Sequence, residues 1–132
     1  MKFMMMMNAP RNGYAHMGTW EHKDLVGHIT YMKTFAKKLK ASGELVLAEG
    51  LSTPEQAKLI TSDASGRPVI DGVFPESKEY LAGFWIVNVP TAERAYELAA
   101  EAAMAPGKDG KPLHLKIEVR EVPAGPPPDW EA

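Results

Sequence analysis

The chain predicts an α+β sandwich, with two helices on one face of an antiparallel sheet. The element order is strand, helix, strand, strand, helix, strand, with a hairpin in the middle. Three observations carry this prediction. Residues 22–41 and 91–105 have the three-four apolar spacing of amphipathic helices, residues 113–122 alternate as a half-buried strand does, and the runs at 3–7, 45–47 and 84–89 are apolar on successive residues. A length of 132 residues suits one domain, here residues 1–122, followed by a proline-rich, extended tail at 123–132.

Each element has its local reason. Lys2 to Asn8 read as the first strand, with Phe3, Met5 and Met7 on one face and Met4 and Met6 on the other. Pro10, Gly13 and Gly18 break any period through residues 9–21. On the first helix, Leu25, Ile29, Met32, Ala36 and Leu39 are expected to be buried, and Gly43 is placed to end it. Residues 44–51 read as the second strand, followed by a capped turn at Thr53-Pro54-Glu55. Residues 57–62, the turn Asp63-Ala64-Ser65-Gly66 and the returning segment 67–70 form the hairpin. Residues 83–89 are a strand apolar on nearly every residue. The second helix directs Ala92, Ala95, Tyr96, Ala99, Ala102 and Ala103 inward, and Pro106-Gly107 ends it. The last strand puts Leu113, Leu115, Ile117 and Val119 on one face and His114, Lys116, Glu118 and Arg120 on the other. This arrangement is ferredoxin-like. Its helices cover one face only, yet three strands are apolar on both, so a homodimer that pairs the uncovered faces is expected.

Composition excludes several classes. There are no cysteines, so no disulfide scaffold, zinc-thiolate site or cysteine nucleophile is present. Fifteen basic and 17 acidic residues argue against a nucleic-acid groove that works by charge alone. Lys37-Lys38-Leu39-Lys40 reads as a solvated helix face. Five of the eight methionines lie in the first seven residues, but the apolar run is too short for a signal peptide, and no run spans a bilayer. A cytoplasmic protein without membrane or direct nucleic-acid partners is expected. No acid–histidine pair has metal-ligand spacing, so no metal is expected. The glycines do not form a phosphate cradle, and no cofactor is expected.

Asp71-Gly72-Val73-Phe74-Pro75-Glu76-Ser77-Lys78-Glu79, followed by Leu81, Gly83, Phe84 and Trp85, resembles the signature of the DGPF-type branch of the YCII-related family. That signature runs roughly Asp-Gly-Pro-Phe-Ala-Glu-Thr-Lys-Glu, then Leu-Gly-Gly and an aromatic. Gly50-Leu51 and Ile117-Glu118-Val119-Arg120 also look like family positions, while Val73 and Pro75 depart from the pattern. The resemblance implies a ferredoxin-like dimer of the dimeric α+β barrel group. The family is mostly bacterial and mostly without an assigned activity. One member type removes chloride from a chlorinated hydroquinone, and some DGPF-type members occur beside or fused to sigma factors. A narrower branch has a suggested histidine–aspartate pair on and just after the first helix. Here Met32 stands at the matching helix position with His28 one turn earlier, and Ala41 and Ser42 precede Gly43, so the pair is not carried over.

Asp71 or Glu76 is a candidate acid or base and Lys78 an anion ligand, set against a turn at Asp71-Gly72 braced by Lys78 and Glu79. Phe74 lies in the same segment and is a candidate binding residue. His28 is a candidate general base, set against a half-buried histidine with one satisfied hydrogen bond, which its place beside the apolar stripe favours. Glu49, inside an apolar strand, would have a raised pKa on an inward face and be solvated at a rim. Trp85 and Phe84 are core or interface residues, or the wall of a pocket for a small aromatic ligand. These residues point to a small molecule bound in a cleft between sheet and partner, with cofactor-independent proton transfer or elimination. The alternative is a non-enzymatic regulatory or structural dimer, linked to sigma-factor-dependent transcription.

Overall fold

The computed structural model of the protein describes residues 1–10, 20–73 and 79–126. The strands are β1 (Lys2–Pro10), β2 (Leu45–Gly50), β3 (Lys58–Ser62), β4 (Pro68–Val73), β5 (Glu79–Asn88) and β6 (Ile117–Val122). The helices are α1 (His22–Ala41) and α2 (Ala92–Ala103). The main sheet has the order β2-β5-β1-β6 with antiparallel neighbours throughout, and β3–β4 is a separate hairpin between β2 and β5. This is the expected ferredoxin-like α+β sandwich. Among the described residues no helix is long and apolar enough to cross a membrane.

β1 is central, which is why so many of its residues are apolar. Phe3, Met5, Met7 and Ala9 are buried beneath the helices, with Phe35 and Leu39 of α1 and Ala95, Leu98, Ala99 and Ala102 of α2 in the same core. Met4 and Met6 face the other way, as alternation requires. They sit opposite Ile86 and Phe84 of β5, and all four are only half-buried. Leu47 of β2, paired with Ile86, is 43% exposed on that helix-free face.

α1 has the expected span but not the expected rotation. Its buried residues are Asp24, His28, Phe35 and Leu39, while Ile29 is 50% exposed. The apolar arc of this helix runs from Leu25 through Met32 to Ala36 and is wide enough to allow either rotation. Phe35, the largest side chain in it, decides the matter by packing edge-on against Trp85, with ring centroids 5.7 Å apart. α2 is rotated likewise: Leu98 is buried and Tyr96 is 55% exposed, contrary to expectation. Ala95, Leu98, Ala99 and Ala102 follow the i, i+3, i+4, i+7 stripe that Tyr96 does not join. Thr91 caps α2 by accepting from the Arg94 amide at 3.2 Å. β6 begins at Ile117, later than expected, because His114 adopts a φ of +49° that no ladder accommodates. β5 begins at Glu79, four residues before the expected start.

Gly43 ends α1 with a φ of +80°. Its amide donates to Lys40 O, and the Glu44 amide donates to Leu39 O at 3.0 Å, the paired bonds of a Schellman turn. The turn delivers Glu44 to Arg94 of α2, whose Nε and Nη2 donate to its two carboxylate oxygens at 2.7 and 3.0 Å. These bonds, with a further one from Ser42, hold the Glu44 carboxyl below the usual carboxylate range. A lowered folded-state pKa means the tie stabilises the protein above the unfolded value of about 4.3. The contribution is lost as pH falls through the still lower folded value. Glu44→Gln is therefore expected to lower the urea midpoint at pH 7, with the difference from the parent shrinking below about pH 4. A difference that stays constant from pH 7 to pH 3 would contradict this account.

Candidate functional site

The site is built by two glycines. In the ladder, Gly83 of β5 stands opposite Met7 of β1 on one side and Gly50 of β2 on the other. The next row toward the core is Met5, Trp85 and Ala48. Met7 and Trp85 are buried on the helix side, so both rows lie under α1. Two of the three residues in the Met7 row have no side chain, and α1 leaves the gap unfilled. A cavity of about 330 Å³ results, lined from the sheet by Met7, Ala48, Gly50 and Trp85 and from α1 by His28, Ile29, Met32, Lys33 and Ala36. Its volume is at the small end of the range for ligand pockets. Gly50 and Gly83 differ in one respect. A Cβ on Gly83 would lie 2.9 Å from Glu49 O, whereas a Cβ on Gly50 would meet nothing within 4 Å.

His28 is fixed by the loop that follows α2. Asp24 and His28 are one turn apart on the same face of α1, and both reach this loop. The buried Asp24 carboxylate accepts from the amides of Glu21 and Asp109, each at 3.2 Å, closing a capping box and tying the first turn of the helix down. His28 Nδ1 lies 3.0 Å from Pro106 O. A carbonyl only accepts, so Nδ1 donates, and in the neutral ring the lone pair is then on Nε2. The ring also meets Trp20 edge-on at 5.7 Å. His28 is 7% exposed, and Nε2 has no hydrogen-bond partner among the described residues. Asp24→Ala is expected to cost about 1–2 kcal/mol through the lost cap and the stranded Asp109 amide. Urea denaturation measures this cost; a change under about 0.3 kcal/mol would show the tie to be idle.

The sequence-predicted residues are thus partly assembled. His28 and Trp85 share the cavity wall. Glu49 and Phe84 also border it, but alternation along β2 and β5 turns their side chains to the helix-free face, where Phe84 stands opposite Met6. Glu49 is exposed, as its rim alternative expects. Asp71 is exposed on β4 of the hairpin and does not line the cavity. Phe74, Glu76 and Lys78 lie outside the described residues. The residues that sequence reasoning missed are Lys33, Ile29 and the opposed pair Gly50 and Gly83. A signal for the pair existed, a glycine at the end of the second expected strand and one at the start of the strand expected at 83–89, but only the register makes them neighbours. Among the described residues no group of three histidine, aspartate or glutamate side chains is placed to hold a metal ion.

Fold and cavity define a small ferredoxin-like α+β domain with a helix-side pocket beneath its first helix. The YCII-related domain matches residues 1–107, and the chain belongs to the YCII-related family. The match ends just after α2, and β6 then completes the sheet by pairing with β1. Comparison with curated proteins finds no significant match.

Proposed function

We propose that this YCII-related protein binds a small molecule in the cavity between α1 and the sheet, with His28 as the group that moves a proton. The observation that carries this reading is the histidine's setting. Pro106 O engages Nδ1, leaving Nε2 without a hydrogen-bond partner among the described residues, on a side chain that lines a largely apolar cavity. A positioned imidazole nitrogen can take a proton from a bound substrate without a cofactor. Abstraction of a C–H proton leaves its electron pair on the substrate. The pair is either delocalised or expels a leaving group, which is proton transfer or elimination.

The protein is further proposed to act as a homodimer. Met4, Met6, Phe84, Ile86 and Leu47 form an apolar helix-free face that a second copy would bury. Sedimentation is expected to show a dimer at micromolar concentration, and a stable monomer would remove this part of the proposal.

A second reading, a non-enzymatic binding or regulatory dimer, draws on one observation: His28 Nδ1 is held by a carbonyl and not by a carboxylate. The test is a fragment screen by ligand-observed NMR, repeated in D2O with wild type and His28→Gln. Fragments that bind, and that exchange a carbon-bound proton or lose an anion only with wild type, support the catalytic reading. Binding without turnover supports the second reading, and absence of binding refutes the catalytic reading and the small-molecule role of the cavity.

A further inference from the structure

We infer that the cavity selects a small monocarboxylate with an apolar body, and that Lys33 is the residue that recognises its charge. This rests on the cavity being a binding site. His28, Lys33 and Glu49 border the cavity, but Ala48 and Gly50 are the helix-side residues of β2, so the Glu49 carboxylate between them leaves from the opposite face. Among the described residues that line the cavity, the helix side therefore offers Lys33 and the His28 imidazole and no carboxylate. An anion is matched there, and a cation is not.

Lys33 shares the lack of an ion pair among the described residues with Lys37, Lys40 and other lysines, and differs from them in bordering the cavity. Lys23 pairs with Glu21, Lys38 with Glu101, and Arg94 with Glu44 and Glu97. Lys33 has no ion pair among the described residues, although it stands at the rim of the cavity. One turn before it, Ile29 is 50% exposed at the same rim. A ligand whose carboxylate meets Lys33 would also cover Ile29 and gain the burial of that side chain. Met7, Met32 and Trp85 also line the cavity and offer apolar, polarizable surface for the body of the ligand. A volume of about 330 Å³ limits that body to roughly one substituted ring or a short branched chain.

The test compares benzoate with its neutral isostere benzamide by isothermal titration. Wild type, Lys33→Gln and Gly50→Val are used, with Ala36→Leu on the α1 wall as a second blocking variant. Wild type is expected to prefer benzoate by roughly 5-fold, the factor that one partly exposed ion pair supplies. Lys33→Gln is expected to bring benzoate down to the affinity of benzamide, and rising salt to do the same for wild type. A blocking variant that folds, as judged by circular dichroism, is expected to lose both ligands. Equal binding of the two ligands to wild type, or a preference that survives Lys33→Gln, overturns this inference but leaves the cavity reading standing. No binding of either ligand to wild type, or binding unchanged in both blocking variants, overturns the cavity reading and the inference with it.

Discussion

Trp85→Ala is expected to destabilise the protein by about 3–5 kcal/mol, the range for removing a buried aromatic side chain from a packed core. Trp85 is 7% exposed at the centre of β5, between Met5 and Ala48 in the ladder, with Phe35 of α1 edge-on to it at an interplanar angle of 88°. Its removal takes away the contact that sets the rotation of α1 and leaves a void continuous with the cavity. The loss is a large fraction of the roughly 5–15 kcal/mol that holds a domain together. For a chain of this size the melting temperature should fall by on the order of 10–20 °C. Trp85→Phe should recover much of the loss, because a ring remains for Phe35 to meet. A cost under about 1 kcal/mol for the alanine variant would place the indole outside the core and undo the description of the sheet–helix interface.

The second large effect concerns a pair of residues with opposite expected responses. Gly83→Val should cost about 1–3 kcal/mol, since its Cβ would lie 2.9 Å from Glu49 O and 3.4 Å from Gly50 Cα, both backbone atoms of β2. A strand backbone does not yield as a flexible side chain does, so β2 must shift away from β5. Gly50→Val, directly across the ladder, should be near neutral or mildly stabilising. Its side chain enters open space, and a β-branched residue suits a strand better than glycine does. Denaturant midpoints of the two variants measure the contrast. If both are equally destabilised, the notch between β5 and β2 is not the open space described.

How much of this was legible in the sequence depended on whether local pattern or long-range register decided it. The span of α1 was readable because Gly43 stops it and no proline interrupts residues 22–41. The two faces of β1 were readable from alternation alone, and the ferredoxin-like order followed from the sequence of elements. Helix rotation was less accessible. Leu25, Ile29, Met32, Phe35, Ala36 and Leu39 together span too broad an arc for periodicity to choose, and Phe35 chose by meeting a tryptophan 50 residues away. Tyr96 was misplaced because size outweighed position in the reading of an alanine-rich helix. The start of β6 was set by a single left-handed residue, His114, within an otherwise clean alternation.

The site divided in the same way. His28 was visible as a histidine beside an apolar stripe, but its tie to Pro106 joins positions 78 residues apart. The cavity itself could not be read, because it depends on Gly50 facing Gly83 and therefore on strand pairing. Glu49 was a real ambiguity of face, and the register resolves it toward the helix-free side.

The methionines offer the most direct test of where a ligand binds. Met7 and Met32 line the cavity, whereas Met4 and Met6 lie on the helix-free face of the sheet. Methyl NMR of protein labelled at the methionine methyl groups, titrated with a bound fragment such as benzoate, reads both places at once. Met7 and Met32 are expected to shift while Met4 and Met6 stay where they are. Shifts of Met4 and Met6 with Met7 and Met32 unmoved would put the ligand on the helix-free sheet face and contradict the assignment of the cavity.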